Sequence, residues 1–370
     1  MVGAEQVPAS RAKTPDWYAH PNGHLFTRET LSLSGIEILR AMMERRLPDP
    51  PLTKLADLRV TDVGLGAATM AMPAIGWWQS AAGVFPAGVL AFLADGALGS
   101  AVMTAAPAQV GMMTTEIAMN FVRPATIRSG WMIGRGRVIH STRAQALAEA
   151  FIEDSRGRLL AHGTSRGLLA PLDLEKFRNP PAVAATDDRD VHPYKLDPEG
   201  DVFGQDYFNS RSGLDVMRDF VEGRYLSPIN AFTGARVTDY GDGEATFALP
   251  TSGWLTNAYG VFYGGAIALM ADFALNCAVW TRLPKATSFA PLDLKINYLR
   301  PVFPNTGELV ARAHVVHMGR TIAVASCEIF DPSGKPAAMA AETILILPSR
   351  PWERPVYVGE EVPVERTGAG

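Results

Sequence analysis

Apolar residues recur along this chain at two spacings. In GLDVMRDFVEG (213–223) they fall three and four apart, which predicts an amphipathic helix. RVTDYGDGEATFALP (236–250) reads instead as two strands around a turn at Gly241–Gly243. GGAIALMADFALNCAVWT (264–281) is apolar nearly all round, the mark of a buried helix. After it come DLKINYLRP, GELVARAHVVHMG, TIAVASCEIFD and AAMAAETILIL. They predict four strands, with PSGK as the turn between the last two.

The same succession occurs twice. Asp95 and Asp272 lie 177 residues apart, and that offset relates long stretches of chain. LADGALGSAV (93–102) matches MADFALNCAV (270–279), MNFVRPA (119–125) matches INYLRPV (296–302), and His140 and Arg143 fall on His317 and Arg320. Residues 51–169 align with 228–346 without a gap, and GIEILRAMMERRL (35–47) pairs with GLDVMRDFVEGRY (213–225) after a one-residue shift. A repeat of this length means a duplicated domain. The predicted class is α+β, each copy wrapping an antiparallel sheet around one buried helix, the two sheets pairing as an intrachain pseudo-dimer. The expected boundaries are an arm at 1–32, domains at 33–170 and 213–348, a Pro- and Asp-rich linker at 171–212, and a tail at 349–370.

Charge narrows the function. The 370 residues carry a net charge of -4 and no Lys/Arg run, so nothing points to nucleic acid. Positions 71–118 are nearly uncharged, but Pro73, Gly76, Gly83, Pro86, Gly88 and Pro107 divide them into soluble-domain lengths, so no membrane span is expected. The opening MVGAEQVPASRAKTPDWYAH lacks the apolar core of a signal peptide, and a cytoplasmic location is expected. Cys277 and Cys327 have no metal-ligand spacing, and no metal or cofactor motif is found. There is no Gly-x-Ser-x-Gly elbow and no His-Glu-x-x-His, which argues against a serine hydrolase or zincin. What stands out is Asp272, the only charged side chain between Val261 and Thr281. A buried carboxylate is costly unless it is paired, hydrogen-bonded or used.

Around Asp272 the chain resembles a known family. Asn257 to Gly265 (NAYGVFYGG), then Ala271–Asp272, then DLKINYLRP, is similar to the PaaI-type hotdog-fold acyl-CoA thioesterases. Their motif is N-x-x-G-x-x-H-G-G, followed by a helix with an acidic residue and a strand ending L-R-P. The resemblance spans both repeats and implies two tandem hotdog domains. It also implies hydrolysis of an acyl-CoA thioester to acid and CoA. A backbone N–H at a helix N-terminus would stabilise the oxyanion, and an Asp across the interface would activate water or attack directly.

In that family, one unit supplies the Asn and the first Gly, and the facing unit supplies the carboxylate and a hydroxyl. Asn257 and Gly264 from the second repeat would thus face Asp95 and Thr114 from the first. The reciprocal cleft would hold Ser80, Ala87, Asp272 and Pro291, and is expected to be impaired. The family histidine is replaced by Tyr263 and, in the first repeat, by Pro86. Tyr263 and Gly265 are candidates for substrate binding, and Arg143 and Arg320 for coenzyme A phosphates. Non-catalytic acyl-CoA binding or scaffolding is an alternative, as is a hotdog enoyl-CoA hydratase or dehydratase, although neither long helix carries a histidine. The expected partner is an acyl-CoA, and two such chains pairing as a homodimer are compatible with the sequence.

Overall fold

The computed structural model describes residues 15–177 and 190–347. The tail expected at 349–370 lies outside them, as do parts of the arm and linker. The first half runs α1 (Gly35–Met43), α2 (Pro51–Ala56), β1 (Arg59–Gly64), β2 (Ala67–Pro73) and the long α3 (Gly88–Met103). Four strands follow: β3 (Val110–Phe121), β4 (Trp131–Ser141), β5 (Gln145–Glu153) and β6 (Leu159–Pro171). The linker contributes α4 (Gln205–Ser210).

The second half repeats the order with α5 (Gly213–Val221), α6 (Pro228–Thr233), β7 (Arg236–Gly241), β8 (Glu244–Pro250) and α7 (Gly264–Trp280). It continues with β9 (Ser288–Pro291), β10 (Asp293–Tyr298), β11 (Glu308–Met318), β12 (Ile322–Phe330) and β13 (Pro336–Leu347). Local chemistry sets the boundaries. Ser34–Glu37 and Ser212–Asp215 form capping boxes at the starts of α1 and α5. Gly66 and Gly243 turn the β1–β2 and β7–β8 hairpins at positive φ, where a side chain would be strained.

The strands form one antiparallel sheet, in the order β1-β2-β4-β5-β6-β3-β10-β13-β12-β11-β8-β7, with β9 also on β13. Its centre is the β3–β10 pair, where Ile117 lies opposite Ile296 and the halves join. Helix α3 packs on β2 to β6, and α7 on β8 and β10 to β13. The two helices meet through small residues. A Cβ on Gly88 would lie 2.7 Å from Leu269 Cα, and one on Gly265 would lie 2.9 Å from Phe92 Cα. This approach brings the N-terminal turn of each helix to the second turn of the other.

Three features depart from the sequence reading. The segment before 33 showed no core pattern, yet Trp17 is buried with its ring 5.7 Å from Trp77 and 5.8 Å from Trp254. Tyr18 and Phe26 pack there too, but Pro, Gly and polar residues between them break any helical or strand spacing that would announce the segment. In the linker, Phe203 stacks on Tyr207 at 4.1 Å, and Phe208 lies against Trp280 at 5.6 Å. Finally, β9 precedes the strand expected from DLKINYLRP. The matching stretch of β3 is unbroken, whereas Pro291 has no N–H to donate to a ladder. Among the described residues, no helix is long and apolar enough to cross a membrane.

Candidate active site

Thr114 owes its direction to an irregularity. Ile117 and Met119 of β3 are buried inward residues, and strict alternation would put Thr115 on their face. The register against β6 shifts between Thr114 and Glu116, a β-bulge of the sort that re-aims side chains near active sites. Thr114 therefore turns inward and donates from Oγ1 to Asp95 Oδ1 at 3.0 Å. Thr115 instead donates to the Arg166 carbonyl.

Asp95 lies on the second turn of α3 and is 6% exposed. Its other oxygen, Oδ2, accepts the Gly265 backbone N–H from the start of α7 at 2.8 Å. Gly264 precedes it as the first residue of α7, so the helix itself cannot satisfy the Gly264 N–H. A Cβ on Gly264 would sit 2.9 Å from Asp95 Oδ2, so only glycine leaves that oxygen its place. Two tyrosines hold the helix start: Tyr263 donates to the Phe92 carbonyl of α3 at 2.7 Å, and Tyr298 of β10 donates to the Gly264 carbonyl at 2.8 Å. Burial pushes the Asp95 carboxyl up to about 6, against the opposing pull of the Thr114 and Gly265 bonds. Among the described residues it has no ion pair.

The structure thus gathers Asp95, Thr114, Gly264, Gly265 and Tyr263 into one cluster drawn from both halves. The hydrogen bonds of the Asn257 side chain run to its own turn. Its Oδ1 accepts the Tyr259 and Val261 N–H groups at 3.0 and 3.2 Å, tying the turn that delivers α7. Arg143 and Arg320 are exposed in the β4–β5 and β11–β12 turns, and neither makes a hydrogen bond to the cluster. A polar cavity of about 420 Å³ lies elsewhere, beside α1, α2 and the linker. Two of its cations, Lys54 and Arg59, are paired with Asp190 and Asp57.

The reciprocal position holds Asp272, 1% exposed, with the Gly88 N–H of α3 facing it. Ser80 is turned onto the Val84 carbonyl of its own loop, and Pro291 offers no hydroxyl. Asn276, one turn along α7, donates from Nδ2 to Asp272 Oδ1 at 2.9 Å and to Glu342 Oε2 at 3.2 Å. Burial raises Asp272 to about 6; Glu342 is raised well above its ordinary range, first by burial and then by the neighbouring Asp272 charge. Sequence reading missed Tyr298, Asn276 and Glu342. The last had a signal, since Ala338, Ala340, Glu342, Ile344 and Ile346 alternate on one face of β13.

Comparison with known proteins agrees with this architecture. Residues 259–338 match the thioesterase superfamily, and residues 37–169 match the acyl-CoA thioesterase C-terminal domain. A putative esterase of Halobacterium salinarum is 37% identical over 131 residues, covering 34% of this chain and 83% of that protein. A putative esterase of Pseudomonas aeruginosa is 25% identical over 121 residues, covering 32% of this chain and 82% of its own length. The solved tesB protein of Mycobacterium avium subspecies paratuberculosis shares the fold, with a TM-score of 0.50 and 12% identity over 85% of this chain and 100% of that one. The chain belongs to the hotdog-fold thioesterase superfamily.

Proposed function

We propose that this chain is two tandem hotdog domains, 33–170 and 213–348, joined by a linker at 171–212, and that it hydrolyses an acyl-CoA thioester at their interface. The observation that carries this reading is the Asp95 carboxylate, held between a hydroxyl of its own half and the α7 N-terminus of the other. The PaaI-type motif from Asn257 to Gly265 supports the same assignment.

In the reaction, the thioester carbonyl lies against the start of α7. The Gly264 N–H and the positive end of the helix dipole face the developing oxyanion. Asp95, its carboxyl raised by burial to about 6, takes a proton from water as the water oxygen bonds to the carbonyl carbon. The C–S bond then breaks, the acyl group leaves as the acid, and the thiolate takes up the proton. Thr114 and the Gly265 N–H hold the carboxylate in place, and the two tyrosines hold the helix that carries the oxyanion donor.

The test is free-thiol release from short, medium, long and aromatic acyl-CoAs. Turnover of at least one class is expected, and the best chain identifies the acyl pocket. Tight acyl-CoA binding without thiol release across the panel would mark a binding protein instead.

A further inference from the structure

The cleft around Asp272 has not simply decayed. Relative to the Asp95 cleft it has lost the Thr114 hydroxyl to Pro291. It has also gained a polar side chain, Asn276 where the first half has Gly99, and it carries a carboxyl, Glu342, where the first half has the buried hydroxyl of Ser165. A disused buried site is expected to shed such groups, because each unpartnered one costs about 1–3 kcal/mol.

Here three buried atoms meet no protein donor in normal hydrogen-bond geometry, Asp272 Oδ2, Glu342 Oε1 and Asn276 Oδ1, and the two carboxyls can bond to each other only through a shared proton. Their residues are only 1%, 1% and 9% exposed. Buried polar atoms left open in this way call for a ligand, a water or a catalytic task. Among the described residues, the groups facing the pair include no cation. They are the Gly88 N–H from α3, Asp293 from β10, and the thiols of Cys277 on α7 and Cys327 on β12. Two carboxyls in such a setting share one proton, an arrangement that gives an acid and a base side by side.

We infer that Asp272, Asn276 and Glu342 form a second hydrolytic centre, distinct in make from the Asp95 cleft and acting on the same class of thioester. The inference rests on the thioesterase reading above. Water donates one hydrogen to Asp272 Oδ2, and Asp272 takes that proton as the water oxygen bonds to the carbonyl carbon. The oxyanion faces the α3 N-terminus at Gly88. When the C–S bond breaks, the Glu342 proton passes to the departing sulfur, so acid and thiol leave together. The proton on Asp272 then moves to Glu342 and restores the pair. Asn276 bridges both carboxyls throughout.

The test uses the full chain with the first cleft disabled. Asp95→Asn is expected to lower thiol release about 100-fold, and adding Glu342→Gln should remove a further tenfold or more of the remainder. Glu342→Ser, which installs the residue of the first half, should act in the same way. Residual release untouched by both Glu342 changes overturns the inference. Calorimetry with a non-hydrolysable acyl-CoA thioether counts the clefts directly, with two bound per chain expected. One bound per chain, in a wild type that releases thiol normally, overturns the second centre alone. A wild type that releases no thiol overturns the hydrolytic reading of both clefts.

Discussion

Asp95 Oδ2 accepts its 2.8 Å hydrogen bond from the backbone of Gly265, 170 residues away in the other half of the chain. The carboxylate of one repeat is thus held at the helix start of the other, and four substitutions around that link have distinct expected outcomes.

Gly264→Ala places a methyl group 2.9 Å from Asp95 Oδ2, in a helix that tolerates alanine well. The fold should survive, as judged by circular dichroism, while kcat falls by about 10²-fold, the range of a lost oxyanion or base contact. Unchanged kcat would mean that the Asp95 carboxylate works elsewhere.

Thr114→Val keeps the shape of the side chain but removes the hydroxyl that stabilises the Asp95 anion. Because that bond holds the carboxyl down, its loss raises the Asp95 pKa above about 6. The acid limb of kcat/KM should therefore move to higher pH, by about one unit for one charge-assisted bond. A limb that stays in place would separate the rate-controlling ionisation from Asp95.

Tyr263→Phe removes the hydroxyl bond to the Phe92 carbonyl, which ties α7 to α3. Urea unfolding should show a loss of about 1 kcal/mol, with a smaller fall in kcat than Gly264→Ala causes.

The two helix aspartates also set a pH dependence of stability. Both have folded pKa values near 6, above the ordinary carboxylate value, so the folded state binds more protons than the unfolded one between about pH 4 and pH 6. Stability should fall as pH rises through that window. Asp272→Asn cannot ionise and can donate from its amide toward Glu342. Its Tm should exceed that of wild type at about pH 8, and the gap should close by about pH 4. A gap that is constant with pH would contradict the assignment of a buried, proton-sharing pair.

Much of this was legible in the sequence, for particular reasons. The repeat fixed equivalent positions, so the order of elements and the crossing of Asp95 to Gly264 could be read from complementary losses such as Ala87 and Pro291. The choice of Thr114 came from the family motif and not from periodicity, since the bulge that turns it inward breaks the alternation. The turn-tying part of Asn257 was hidden because a motif records that a residue recurs, not which backbone groups its Oδ1 accepts from. Tyr298 was hidden because its hydroxyl partner, the Gly264 carbonyl, lies 34 residues away. Trp17 was hidden because it and Tyr18 fill the junction from a segment whose Pro and Gly residues leave no helical or strand spacing.

The most direct measurement is kcat/KM for thiol release from the best acyl-CoA, with wild type and Asp95→Asn compared at pH 7 to 8. A fall of about 100-fold, carried mainly by kcat and with acyl-CoA still bound, is the predicted result. An Asp95→Asn protein that turns over like an active wild type would contradict the claim that the Asp95 cleft performs the hydrolysis.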